Sequence, residues 1–225
     1  MSQLLQNENL IFYAIFIVCG IGIFLPVIGK YVRLIETMIH EFGHVLLSLI
    51  LGCPIKRVNL FSDTSGETII SAPKFKTILI ALAGYPFASA TSFIYFWANT
   101  HHYQRYMLYG LTILSVLFLL FYIRNLFGIC WTISLIALNC LTIYIDNENL
   151  TNILSNIYAC IIFIESNLST LRLLVLAWKN GNKAGDAGVL YKETHIHAIL
   201  YALIFVGFNI FISYYTIILF FPLNN

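Results

Sequence analysis

Two histidines and a glutamate lie close together at residues 40–44, which read His-Glu-Phe-Gly-His. Residues four apart on an α-helix lie about 40° apart around its axis, so His40 and His44 present their imidazole rings from one face at successive turns. Such a pair of histidines typically supplies two of the ligands of a zinc ion. Glu41 lies on the neighbouring face, where its carboxylate can take a proton from water at the metal and pass it to a leaving amine. The spacing therefore predicts a hydrolytic zinc site with Glu41 as the catalytic base and His40 and His44 as metal ligands.

A third zinc ligand must come from another part of the chain, because a catalytic zinc site usually has three protein ligands and leaves the fourth position to water. Asp186 is the best candidate by chemistry, since it is a carboxylate on a glycine-flanked turn that can approach a helix closely. The same residue could instead be an ordinary helix N-cap in a solvated segment. The other candidates are Glu67, His101, His102, Asp146, Glu165, His195 and His197.

The composition indicates a membrane protein. Of the 225 residues, 60% are hydrophobic and only 10% are charged, whereas a soluble domain carries roughly 25% charged residues. The net charge of +2 is small and the basic residues are scattered, which excludes a nucleic-acid partner. We therefore expect the lipid bilayer to be the main surrounding of this chain.

Seven apolar runs are candidate membrane spans, since a spanning helix needs about 20 mostly apolar residues. The runs are Leu10–Ile28, Leu34–Leu51, Phe75–Ala98, Tyr106–Ile123, Leu126–Ile145, Leu150–Trp178 and Ile196–Phe221. The second run forms the predicted zinc-motif helix, residues 34–52. Glu165 and Asn167 interrupt the sixth run, which predicts a broken or partly surface-lying helix. The fold class is therefore an all-α membrane protein of about six to seven transmembrane helices.

The ionisable residues of the motif stand in a run that is otherwise made of Leu, Ile, Val and Met. In a membrane span each ionisable group costs on the order of 2 to 3 kcal/mol or more and seldom persists without a partner or a role. This cost favours a zinc site over a chance cluster of polar residues.

Two polar segments connect the apolar runs. Residues 55–71 contain two short β-prone pieces around the turn-prone residues 62–66, which predicts a β-hairpin. The edge of this hairpin could bind an extended substrate, or the hairpin could be a plain connector. Residues 179–194 are rich in Gly and Asn, which predicts a loop that carries Asp186. With no internal repeat in the sequence, we expect a single membrane-embedded domain over residues 1–225.

Several short segments around and beyond the zinc motif match a known pattern. They are His40–Leu46, the Gly52 bend, Ser65–Gly66, Ala83–Pro86, Arg124–Gly128, and Gly185–Ala187 followed by Leu190 and Thr194. Together they resemble the site-2 protease family, specifically its small bacterial membrane branch, over most of the chain from about residue 36 to 200. In that family an Asn-Pro-Asp-Gly-like motif delivers the third ligand as an aspartate. This sequence lacks the motif, and the resemblance puts Asp186 in its place.

The resemblance and the motif together imply an intramembrane zinc metalloendopeptidase, a multi-pass protein of the bacterial cell membrane. Its expected substrate is a membrane protein or a membrane-anchored peptide, and the sequence identifies no regulatory partner. One alternative is an inactive zinc-binding membrane chaperone or pseudo-protease, which would have little need of Glu41 as a base. Another is a small metal or proton transporter, which would be better served by polar residues on several spans.

Overall fold

The computed structural model describes residues 2–221, so Met1 and residues 222–225 of the predicted domain lie outside the described residues. The helices of this part of the chain are α1 (Ser2–Gly22), α2 (Ile28–Ile50), α3 (Lys74–Ala81), α4 (Gly84–Thr100), α5 (Gln104–Phe121), α6 (Leu126–Ile145), α7 (Glu148–Asn180), α8 (Gly185–Thr194) and α9 (Ala198–Phe220), and the strands are β1 (Ile55–Leu60) and β2 (Gly66–Ile70). The predicted all-α membrane fold, with a hairpin directly after the zinc-motif helix, is confirmed.

Five helical segments within residues 2–221 are long and apolar enough to cross a membrane: Lys74–Thr100, α5, α6, α7 and α9. Residues Asn9–Gly22 of α1 form a shorter apolar helix. The zinc-motif helix α2 has 23 residues and also carries charged side chains, including Arg33, Glu36 and Glu41. With the shorter apolar helix Asn9–Gly22 counted, the described residues contain six apolar helices, in rough agreement with the predicted number of about six to seven.

The zinc-motif helix begins at Ile28, six residues before its predicted start, and packs closely against α4. A Cβ atom at Gly43 would lie 2.8 Å from the Cβ of Phe87 and 3.2 Å from the Cα of Gly84. The two main chains can approach this closely because neither glycine has a side chain, which is a common device in membrane helix packing.

The third apolar run is two helices rather than the single one predicted over Phe75–Ala98. The chain leaves α3 at Leu82 and enters α4 at Gly84. Pro86 accounts for the break, because it has no N–H to donate to the carbonyl of Leu82 and its ring would collide with that carbonyl in a continuous helix. The break places the end of α3 beside the zinc motif.

The sixth run is one continuous helix of 33 residues, and the predicted interruption at Glu165 and Asn167 is wrong. Glu165 is only 2% exposed, but it accepts hydrogen bonds from Arg33, at 2.8 Å, and from Arg172. Asn167 donates to the carbonyl of Phe163 at 2.8 Å. Because both polar side chains find partners inside the protein, the helix has no need to break or to leave the membrane core. At about 1.5 Å per residue α7 is about 50 Å long, so it extends past the hydrocarbon layer.

The hairpin is held by the connection between α5 and α6. Strand β1 pairs with β2 in antiparallel fashion, and on its other edge the Val58 N–H donates to the carbonyl of Tyr122 at 2.8 Å. The side-chain amide of Asn125 accepts from the Leu60 N–H at 3.1 Å and donates to the Leu60 carbonyl at 2.5 Å. Asn125 therefore imitates a paired strand at the end of β1 and fixes where the hairpin lies.

The two hydrogen bonds between Asn125 and Leu60 can be tested with two variants. Asn125→Ala removes both hydrogen bonds, and Gly128→Ala disturbs them because its Cβ would lie 2.6 Å from Asn125 Oδ1. Since a hydrogen bond contributes about 1 kcal/mol, we expect amide hydrogen exchange at Leu60 to become faster by about fivefold in either variant. Gly207→Ala is the matched control, because a Cβ there meets nothing within 4 Å. Unchanged exchange at Leu60 in both test variants would contradict this role of Asn125.

Candidate metal centre

Three side chains from two distant parts of the chain converge on one point. His40 and His44 of α2 bring their Nε2 atoms to 3.1 Å from each other. The Oδ2 atom of Asp186 lies 3.1 Å from Nε2 of His40 and 3.3 Å from Nε2 of His44. The structure thus brings together the three residues that the sequence analysis singles out as metal ligands. No other group of three such side chains occurs among residues 9–181 and 183–221, whose side chains the structure describes.

The ring of His44 is oriented by the end of α3. Its Nδ1 lies 2.7 Å from the carbonyl oxygen of Ile80. A carbonyl oxygen can only accept, so Nδ1 carries a hydrogen, and in the neutral ring the lone pair of Nε2 is then available to a metal ion. The ring of His40 packs edge-on against Tyr85, with 4.4 Å between the ring centroids. Both imidazoles are therefore held by the α3–α4 region.

Asp186 lies in the first turn of α8, and Ala184 is the N-cap residue. The segment over residues 179–194 is less of a loop than predicted, because α7 continues to Asn180, a 3₁₀ turn follows over Gly181–Lys183, and the rest is helical. A short helix does begin next to Asp186, but its N-cap residue is Ala184 and not Asp186. The physical reason is burial. Small and apolar side chains on one face of α8, including Ala187 and Leu190, are fully enclosed by α3, α7 and α9.

The spacing of the three ligand atoms fits zinc. Zinc binds histidine nitrogen and carboxylate oxygen at about 2.0–2.2 Å in a tetrahedron, and two ligand atoms at such distances are about 3.3–3.6 Å apart. The observed separations are 3.1 Å twice and 3.3 Å once. Asp186 Oδ2 is buried and has no aligned hydrogen-bond donor among the described residues, which would be costly without a cation.

The charge state of Asp186 agrees with a role as a ligand. Burial raises the pKa of its carboxyl group, but the neighbouring His44 and His40 lower the pKa more strongly, so that it lies below its ordinary value. The carboxylate is therefore ionised at neutral pH, as a metal ligand must be.

Gly84 leaves open the space in front of the two imidazoles. A Cβ atom at this position would lie 2.6 Å from Nε2 of both His40 and His44. Any larger residue would therefore fill the place toward which the ligand atoms point.

Glu41 is 4% exposed and meets the hairpin directly. Its Oε2 accepts a hydrogen bond of 2.5 Å from the hydroxyl of Thr68 on β2. A Cβ on Gly66 would lie 2.5 Å from Glu41 Oε1, so the glycine lets the hairpin approach the carboxylate. A second link joins the hydroxyl of Thr37 to the carbonyl of Thr64 at 2.9 Å. The hairpin thus orients the predicted base.

A cavity of about 470 Å³ opens onto this group and is large enough for a segment of peptide. Its walls come from α2, β2, α3 and α8. The lining residues are Glu41, His44, Gly66, Glu67, Thr68, Ile69, Ile70, Thr77, Ile80, Ala81, Gly185, Asp186 and Val189. Over the described range, β2 forms main-chain hydrogen bonds with β1 only, so its other edge is unpaired beside the cavity.

The other third-ligand candidates lie elsewhere or have other partners. Glu165 is paired with two arginines, and Asp146 forms an ion pair with Arg105. Glu67 lines the cavity but is not part of the ligand cluster. The four histidines outside the motif, His101, His102, His195 and His197, are all exposed.

Three contributors to the site are missing from the sequence predictions: the hydroxyl of Thr68, the carbonyl of Ile80 and the open space at Gly84. Alternation along β2 puts residues 66 and 68 on one face, which is the available signal for Thr68. The other two contacts depend on how the chain turns at the break between α3 and α4.

Comparison with known proteins gives one match. A family model described as Peptidase M50B-like matches residues 10–216, which include every side chain of the candidate metal centre. A search of curated proteins and a search of solved structures each gave no significant match.

The space at Gly84 can be tested directly. We expect Gly84→Ala to lower the bound zinc of the purified protein at least tenfold, because the added methyl group would displace both imidazoles. Zinc content per chain is the measurement, and thermal unfolding in detergent tests whether the fold persists. Gly110→Ala is the control, since a Cβ at Gly110 has no neighbour within 4 Å. A folded Gly84→Ala protein with a full complement of zinc would refute the role given to this glycine.

Proposed function

This chain belongs to the Peptidase M50B-like family, and we propose that it is a zinc-dependent endopeptidase that hydrolyses peptide bonds of membrane-protein substrates within or near the bilayer. The family supports an intramembrane metalloprotease as the general class. Zinc as the metal, His40, His44 and Asp186 as its ligands, Glu41 as the base and the kind of substrate are parts of the proposal.

One observation carries the proposal. Three ligand atoms that are 3.1–3.3 Å apart lie next to the carboxylate of Glu41, and both lie beside a cavity that can admit water and peptide. A binding protein needs the ligands but has no use for an oriented carboxylate beside them. The combination therefore favours hydrolysis over a chaperone or pseudo-protease.

Each side chain has a role in this reaction. A zinc ion on His40, His44 and Asp186 would supply Lewis acidity, which polarises the scissile carbonyl and makes a nearby water molecule more acidic. Glu41 accepts the proton of the attacking water and returns it to the leaving amine. The hydrogen bond from Thr68 holds the Glu41 carboxylate in position through both proton transfers.

The unpaired edge of β2 is suited to hold the substrate. A peptide must be extended for its carbonyl to be attacked, and strand addition fixes an extended peptide through main-chain hydrogen bonds. Gly66 and Thr68 of β2 contact Glu41, so a peptide on this edge passes close to the base. This supports a binding role for the hairpin over that of a plain connector.

A membrane protein or membrane-anchored peptide is the proposed substrate class. The apolar helices support a multi-pass membrane protein, and a substrate that shares the membrane reaches the cavity from within it. Location in the cell membrane of a bacterium rests on the resemblance to the small bacterial branch of the site-2 protease family.

The experiment combines metal content with cleavage of a transmembrane reporter by detergent-purified protein. We expect close to one zinc per chain in the wild type and in Glu41→Gln, and much less in His44→Ala and Asp186→Ala, which each lose a ligand. Cleavage should occur in the wild type alone, since general acid–base catalysis contributes about 10²- to 10⁴-fold to the rate. Gly207→Ala serves as the control for handling and folding.

The other outcomes separate the alternatives. Full zinc without cleavage in the wild type would favour the chaperone or pseudo-protease, and absence of zinc would overturn the metalloprotease. Zinc retained by Asp186→Ala would remove Asp186 from the ligand set. Cleavage by Glu41→Gln at the wild-type rate would remove Glu41 as the base.

A further inference from the structure

Glu67 is an acidic side chain of the cavity that the proposed reaction does not use. It is an exposed residue of β2 and lines the same cavity as Glu41 and Asp186. Its Oε2 accepts a hydrogen bond of 3.2 Å from the side-chain amide of Asn59. Asp186 belongs to the ligand cluster and Glu41 is the proposed base, whereas Glu67 has neither role.

The alternation of β2 separates Glu67 from the reacting groups. Gly66 and Thr68 face Glu41, so the side chain of Glu67 lies on the opposite face of the strand. A peptide paired with the free edge of β2 alternates in the same way. Its residues on one face point toward the metal centre, and the residues between them lie beside Glu67.

The lining of the cavity offers Glu67 no basic side chain. The described lining residues include three carboxylates and one histidine but no Lys or Arg. Over residues 2–221, Glu67 forms no ion pair with a basic side chain. Asn59 donates to one of its oxygens, so the carboxylate keeps further capacity to accept hydrogen bonds.

We propose that Glu67 forms a subsite for a basic side chain, Lys or Arg, within about two residues of the scissile bond of the substrate. This inference rests on the proposed function and adds a substrate class to it: extended segments in which a basic residue adjoins the apolar sequence to be cleaved. Ile69 and Ile70 of β2 and Val189 of α8 supply apolar surface for the neighbouring substrate residues.

A charge-reversal series tests the subsite. The substrates are Leu/Ala host peptides with a single central Lys, Gln or Glu, and the measurement is kcat/KM. Opposite charges across two strands attract and like charges repel, so we expect the wild type to favour the Lys peptide over the Glu peptide about three- to tenfold. Glu67→Gln should abolish this preference, and Glu67→Lys should reverse it.

Glu148→Lys is the matched control, because it makes the same change of net charge at an exposed position outside the cavity. It should keep the wild-type order of peptides. A Lys preference that persists in Glu67→Gln, or the same reversal in Glu148→Lys, would overturn the subsite.

Binding separates failure of the subsite from failure of the protease. The same peptides are titrated against Glu41→Gln, which is expected to bind without cleaving, and against the double variant Glu41→Gln/Glu67→Gln. Tighter binding of the Lys peptide to the single variant only would support the subsite even if the wild type cleaves nothing. Equal affinities for the Lys and Glu peptides in the single variant would overturn it, whether or not the wild type is active.

Discussion

The fold depends on one constraint: every ionisable side chain that α2 buries inside the protein needs a partner there. The partners come from separate elements. Glu36 accepts from Ser169 of α7 at 3.0 Å, Glu41 accepts from Thr68 of the hairpin at 2.5 Å, and His44 reaches a carbonyl at the end of α3. Because each contact points from α2 in a different direction, the same contacts that offset the cost of burial also arrange α3, α7 and the hairpin around the metal centre.

Three glycines shape the metal centre because they have no side chain. Gly43 lets α2 meet α4, Gly84 leaves open the space before the ligand nitrogens, and Gly66 lets the hairpin reach Glu41. In each case a Cβ would come within 2.5–2.8 Å of an atom of the neighbouring element. A buried cluster of ionisable groups can bind a metal ion and a reactant only if two conditions hold. The main chains around it must pack closely enough to exclude lipid, and space for the reactant must remain. Glycine satisfies both requirements.

Features that depend on local chemistry could be predicted from the sequence, while those that depend on distant contacts could not. The spacing of His40 and His44 predicts that they share a helix face, whatever the rest of the chain does. The turn-prone residues 62–66 predict the hairpin. Asp186 was one of several possible ligands by chemistry, and the resemblance selected it. The continuity of α7 at Glu165 was missed because it depends on Arg33, 132 residues away. The break before Pro86 has a local signal in the sequence, because a proline cannot continue a helix from the preceding turn.

The position of the hairpin suits the membrane substrate that we propose. A helix in lipid satisfies its own main-chain hydrogen bonds, and unwinding it in hydrocarbon would leave each freed N–H and C=O without a partner, at a cost of several kcal/mol per group. The unpaired edge of β2 supplies such partners next to Glu41, in a cavity that also admits the water that hydrolysis consumes. The hydrogen bonds between Asn125 and Leu60 of β1 fix the position of the hairpin relative to α6. In the proposed reaction, the hairpin would therefore stabilise an unwound segment of the substrate beside Glu41.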